Sequence, residues 1–197
     1  MPSVTVISEE KDPYLVLISC LLSLRTKDKT TIEASRRLFA LAKTPIEVLK
    51  LKPKQIEQII YPVGFYRNKA KTIIALSHRI IKDFGGKVPG DLESLLSFKG
   101  VGRKTANLVL GLGFGIPAIC VDTHVHRIPN RLGWIKTSEP FESEEVLKQI
   151  IPKSYWIKLN TVLVTFGQNI CLPVSPRCKI CAVNKMCRRV GVKQGLK

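Results

Sequence analysis

The sequence predicts an all-α protein, and three observations predict it. Apolar residues recur three and four positions apart through most of the chain, the spacing that gives a helix one buried face. No stretch sustains the apolar–polar alternation of a half-buried strand. Helix-start and helix-stop residues fall where the periodic runs begin and end.

The elements follow in order. Residues 14–24 form the first apolar run, too short to span a bilayer and read as a buried helix. A second helical pattern covers 31–41. Thr44-Pro45-Ile46-Glu47 is a capping box with proline at the first helical position. Residues 70–81 repeat the pattern and run toward Gly85-Gly86, where a left-handed C-terminal residue is expected. The patterns over 106–112 and 155–166 follow, with Gly167 expected to end the last one in the same way. Altogether the chain reads as about ten short helices. From Cys171 onward proline, cysteine and basic residues replace helical periodicity, so something other than an apolar core must order the tail.

At 197 residues the chain can form one domain or two small interleaved ones. Its 45% hydrophobic content excludes wholesale disorder. Lys and Arg number 32 against 15 Asp and Glu, a formal charge of +17. A field of that sign draws polyanions, with nucleic acid the leading partner and a membrane surface well behind. No apolar core marks residues 1–12 as an export signal, so a cytoplasmic, nucleoid-associated location is expected. In a reducing compartment the six cysteines serve metal or cluster ligation better than disulfides.

Four of them, Cys171, Cys178, Cys181 and Cys187, form a Cys-x6-Cys-x2-Cys-x5-Cys array. Such an array can surround one compact centre in a loop with little apolar content of its own. Structural zinc generally uses two short Cys-x2-Cys knuckles and here there is one, whereas a four-thiolate iron–sulfur cluster tolerates varied spacing. The spacing favours the cluster and leaves zinc open. Arg177, Lys179, Lys185, Arg188 and Arg189 surround the array and suit phosphate contact as well as they suit a solvated tail. Cys20 and Cys120 lie in apolar contexts and read as core residues.

The segment Phe98-Lys99-Gly100-Val101-Gly102-Arg103-Lys104-Thr105 reads as helix, tight turn, helix. Its glycines remove Cβ atoms where the backbone turns, and Val101 can point into the core between them. Amides of Gly100, Gly102 and the following first turn are then placed to bind a phosphate. This is a helix-hairpin-helix arrangement, which grips a nucleic-acid backbone without reading its sequence. Lys104 falls in the first turn of the second helix, where the dipole disfavours an ammonium and favours the neutral amine that a nucleophile must be. Asp122 opens another helix as an ordinary N-cap by pattern, and a carboxylate there can also accept a proton or stabilise a developing cation. His124 and His126 lack metal-site spacing and read as structural.

Taken together these residues resemble the endonuclease III family of DNA glycosylases. The resemblance is carried by Leu21-Leu22-Ser23 with Thr26-Lys27-Asp28, then Gly64-Phe65-Tyr66 with Lys69-Ala70. It continues through Gly100-Val101-Gly102-Arg103-Lys104-Thr105-Ala106 and through Val121-Asp122-Thr123-His124-Val125 with Arg127 and Asn130-Arg131-Leu132, and ends on the four cysteines. It implies a two-lobed helix-hairpin-helix fold with a C-terminal [4Fe-4S] cluster loop. A central six-helix lobe over 10–117 is expected, with residues 1–9 and 118–197 forming the other lobe and the DNA cleft between them. The implied activity is removal of oxidised pyrimidines of the thymine glycol class from duplex DNA, followed by cleavage of the abasic site, and a monomer is expected. Lys104 is the implied nucleophile, with Asp122 assisting. Arg25, Lys99, Gly100, Val101, Gly102, Arg103 and Thr105 are the implied DNA contacts.

Two departures stand out. Arg25 occupies a position where the family usually has glutamine, whose side chain helps fill the gap left by a flipped nucleotide. Lys99 replaces a hairpin proline, which loosens the turn and adds a cation. Adenine-removing relatives carry a glutamate near Ser19-Cys20-Leu21 and lack the lysine, while mismatch-specific thymine glycosylases generally replace it. A non-catalytic DNA-binding module and an iron–sulfur electron carrier leave Lys104 and Asp122 without a role.

Overall fold

In a computed structural model, residues 2–7 and 11–192 are described, and all regular structure among them is helical. The chain divides into two compact units, Pro2–Ala118 and Ile119–Lys197.

The first unit holds α1 (Ser3–Ile7), α2 (Pro13–Ser23), α3 (Asp28–Phe39), α4 (Pro45–Lys50), α5 (Pro53–Ile60), α6 (Tyr66–Phe84), α7 (Leu92–Leu96) and α8 (Arg103–Leu108). A π-helical turn, Val109–Gly113, continues α8. At the centre lies α2, with residues 14–22 all buried, so its apolar run is a helix covered on every side. It starts at Asp12, whose carboxylate accepts from Tyr14 N at 2.8 Å and Leu15 N at 3.0 Å. The Tyr14 hydroxyl meets Ser77 Oγ at 2.7 Å, which satisfies both groups in the core between α2 and α6. Close packing also fixes this end of α2: a Cβ on Gly113 would sit 2.7 Å from Pro13 Cα.

The expected caps form at two of three sites. Thr44 accepts from Glu47 N at 3.2 Å while the Glu47 carboxylate returns to Thr44 N at 3.1 Å. Gly85 ends α6 in the left-handed region. Gly167 does not end its helix. It lies inside α11 (Trp156–Asn169) because His124 packs over it, and a Cβ there would run into the imidazole Nδ1. The N-terminal helix lies in the first unit. Ser3–Ile7 packs on α2 and α3 of the first unit, with Val4 in that core and Ser3 N donating to Asp28 Oδ1 at 3.3 Å. Residues 1 and 8–10 lie outside the described residues.

The second unit holds α9 (Thr123–Leu132), α10 (Pro140–Ile150) and α11, followed by the cysteine loop. Val125, Ile128, Leu132, Leu147 and Leu163 form its core. A polar chain ties α9 to α10: His126 Nδ1 meets Ser143 Oγ at 2.7 Å, Ser143 meets Thr137 Oγ1 at 2.7 Å, and Asn130 Nδ2 donates to Thr137 Oγ1 at 3.0 Å. His126 is structural, as its spacing predicts. No helix among the described residues is long and apolar enough to cross a membrane.

Candidate active site and nucleic-acid interface

The glycine hairpin takes the predicted form. Phe98 is buried with its ring 5.4 Å from Phe84, anchoring the turn in the core. Val101 N donates to Phe98 O at 3.1 Å, and Val101 is buried beside it. Gly100 holds a φ of +88°, which a side chain resists. Gly102 is different: its backbone is ordinary and a Cβ there would meet nothing within 4 Å. No side chain caps the first turn of α8.

Contacts from α6 reach the turn that lacks the proline. Arg79 of α6 lies over the Phe98 ring at 5.0 Å and donates through Nη2 to Ser97 Oγ at 2.9 Å, with Nη1 on the Ser97 carbonyl. These contacts brace the hairpin from outside. Lys99 is exposed on it. Thr105 is buried, so its side chain faces the core and not the surface.

Lys104 is the second residue of α8 and its side chain is exposed. The buried Cys20 thiol feels the Lys104 charge, and burial pushes it up to about 12 against that influence. Cys20 therefore stays protonated and acts as a small core residue, as does the buried Cys120.

Asp122 belongs to the second unit and caps α9. Its Oδ1 accepts from both His124 N and Val125 N at 2.9 Å. One oxygen thus fixes the half-buried carboxylate, and Oδ2 takes no part in the cap.

The cysteine loop is stitched to α9. Arg131 donates to Leu172 O and Pro173 O, both at 2.6 Å, and its carbonyl accepts from Val190 N at 3.0 Å. Arg127 Nη2 donates to Cys171 O at 2.9 Å. All four thiols are free and line one cavity together with Leu132, Phe166, Val183 and Arg131. Among the described residues no three Cys, His, Asp or Glu side chains converge on a single-ion position. Four cysteines lining one cavity are a soft thiolate donor set of the kind that metal or iron–sulfur centres use. Donors already point at two sulfurs: Arg131 Nη1 lies 3.6 Å from Cys171 Sγ and Arg189 N lies 3.3 Å from Cys187 Sγ. Of the surrounding cations, Arg177, Lys179, Lys185 and Arg188 are exposed, whereas Arg189 turns inward to Asn184 Oδ1 at 2.6 Å.

Arg25 stands exposed on the loop between α2 and α3 with φ +53°. Its guanidinium lies 5.7 Å from the ring of Phe65, another exposed residue with positive φ, +57°. Sequence reading gave roles to neither Phe65 nor Lys69, although both fall in the stretches that carry the resemblance. Nothing in a pattern of residue types marks a left-handed phenylalanine or a buried lysine.

Comparison with known proteins places this arrangement. Residues 18–153 match the HhH-GPD superfamily base excision DNA repair protein family. Over 179 residues the chain is 49% identical to endonuclease III of Thermotoga maritima, covering 91% of this chain and 84% of that protein. The chain belongs to the HhH-GPD superfamily of base excision DNA repair proteins and, within it, to the endonuclease III family. Among solved structures it resembles a trapped endonuclease III–DNA covalent intermediate, an estranged-adenine complex, with TM-score 0.83 and 38% identity over 90% of this chain and 84% of that one. It also resembles a thermostable thymine-DNA glycosylase with TM-score 0.85 and 25% identity, over 95% of this chain and 93% of that one.

Proposed function

We propose that this protein is a bifunctional base excision DNA glycosylase that removes oxidised pyrimidines of the thymine glycol class and then cleaves the abasic site. The observation that carries the reading is an exposed lysine, Lys104, in the first turn of the helix that follows the glycine hairpin. Backbone amides of that turn fix the DNA strand without reading sequence, which brings a sugar within reach of the amine. The target nucleotide leaves the stack. Lys104 Nζ attacks C1′ and the C1′–base bond breaks, with its electron pair leaving on the base. Asp122 stabilises the positive charge developing on the sugar and takes up the proton released from the amine. The ring opens to a Schiff base between Nζ and C1′. Loss of a C2′ proton expels the 3′ phosphate by β-elimination, which nicks the strand.

Cys171, Cys178, Cys181 and Cys187 would hold a [4Fe-4S] cluster, which when bound supplies structural order and not turnover. The cluster reading rests on the shared cavity of the four thiols and the donors aimed at them. Exposed Arg177, Lys179, Lys185 and Arg188 around it extend the DNA contact.

The likeness to a thymine-DNA glycosylase supports a second substrate, a mismatched thymine. Lys104 favours the first reading, because a glycosylase that stops at base removal needs no amine nucleophile. A panel of duplexes carrying thymine glycol, a G·T mismatch or an abasic site separates the two. The proposal expects nicking of the thymine glycol and abasic duplexes. Removal of mismatched thymine without nicking would overturn it.

A further inference from the structure

Among the described residues Lys69 is the one buried lysine, and it is buried where a charge is costly. It is the fourth residue of α6, close to the positive end of that helix dipole. Desolvation adds to the cost and draws its amine down to about 8. What offsets both is one set of three oxygens. Lys69 Nζ donates to Leu22 O at 2.8 Å, to Leu24 O at 2.6 Å and to Thr26 Oγ1 at 3.1 Å. An ammonium has three N–H donors, so the count is complete. Leu22 O belongs to the last turn of α2, where helix carbonyls lack intrahelical partners and the dipole is negative.

All three oxygens come from residues 22–26, and Arg25 sits among them. The same Thr26 hydroxyl donates to Leu24 O at 3.3 Å and accepts from Gly64 N at 3.1 Å. Gly64 lies against this loop so closely that a Cβ would come 2.6 Å from Arg25 O. Lys69 therefore joins two chain segments, 22–26 and 64–65. Each ends in an exposed side chain carried on a left-handed backbone, Arg25 and Phe65, and the two stack on one another. Left-handed conformations are unfavourable for such residues unless their surroundings enforce them. The Lys69 ammonium and the Gly64 contact are that enforcement.

We infer that Lys69 is a positioning residue for nucleotide extrusion, clamping the 22–26 loop so that Arg25 meets the duplex in one fixed orientation. The inference rests on the glycosylase reading above. It places Lys69 in the step that takes a paired base out of the stack and not in the chemistry at Lys104. Damaged bases still need extrusion, whereas an abasic site has no base to extract.

The test is single-turnover kinetics of wild type, Lys69→Met, Arg25→Ala and the double variant, on one duplex with thymine glycol and one with a preformed abasic site. Borohydride trapping on the abasic duplex gives the active fraction of each preparation. Lys69→Met should slow base removal by about tenfold to a hundredfold, the scale of loss from an ångström-sized misplacement. Nicking of the abasic duplex per active molecule should keep its wild-type rate. The double variant should match Arg25→Ala alone, because both changes remove the same positioned side chain. If Lys69→Met does not fold, Thr26→Val removes one of the three oxygens and should show the same split in smaller measure. Equal losses on both duplexes, or losses from Lys69→Met and Arg25→Ala that multiply in the double variant, would overturn the inference. A wild type inactive on both duplexes would overturn the glycosylase reading and this inference with it.

Discussion

At Gly100 and Gly102 one atom separates two jobs. Gly100 needs glycine for the fold, because its φ is +88°. Gly102 needs nothing of the kind, since a Cβ there meets open space on an ordinary backbone. Its worth lies in what approaches from outside, and a phosphate seated on the hairpin amides is the candidate. Gly102→Ala should therefore leave thermal stability unchanged or raise it by up to about 1 kcal/mol through the unfolded chain, while weakening binding to duplex DNA. Gly100→Ala should lower both. Equal affinity for DNA in wild type and Gly102→Ala would remove the hairpin from the interface. Lys69 provides a pH test of its burial. A folded value near 8 against an ordinary 10.5 means the folded chain binds that proton less tightly. Its stability term is then fully present above 10.5 and lost as pH falls through about 8. Relative to Lys69→Met, wild type should gain stability in urea titrations between those values, and a flat difference would contradict the buried amine.

The helices show how far local pattern carries. The capping box at Thr44 and the glycine end of α6 at Gly85 were legible because their causes are local: side-chain oxygen on a nearby amide, or a residue free to adopt positive φ. Gly167 carried the same residue signal with a different cause. It is glycine so that His124 and Arg127 can lie against α11, a contact between residues about forty positions apart that no local pattern encodes. Gly167→Ala should accordingly destabilise the second unit by about 1–3 kcal/mol, the cost of overpacking, rather than merely prolong a helix. A thermal midpoint equal to wild type would show that His124 yields freely. The hairpin followed the same division. Its turn residues were readable, while the brace supplied by Arg79 in place of proline depends on α6 and was not. Lys104 is the sharpest case: its place in a first turn was readable from pattern, but without the hairpin and the family match it is one exposed lysine among many.

Over the whole molecule, a charge of +17 sets the reach of the interaction. Each phosphate neutralised on duplex DNA should steepen the fall of log affinity with log salt by about 0.9. A binding constant indifferent to salt would leave the charge without a function. The thiol ring makes a compositional prediction: purified protein should hold about four iron and four acid-labile sulfide per chain with brown absorption. Cys178→Ser should lose the colour and disorder the loop that Arg131 holds to α9. Stoichiometric zinc in the wild type would defeat the cluster assignment. The attachment of Ser3–Ile7 to the first unit depends on Val4 and Asp28 and not on any feature of the segment alone, so local pattern does not encode it.

The central claim is that Lys104 forms a covalent bond to the sugar. Borohydride reduction of wild type with a thymine glycol duplex should yield a stable protein–DNA adduct, and Lys104→Gln should yield none while still binding the duplex. A Lys104→Gln protein that traps and nicks as the wild type does would show that the nucleophile lies elsewhere.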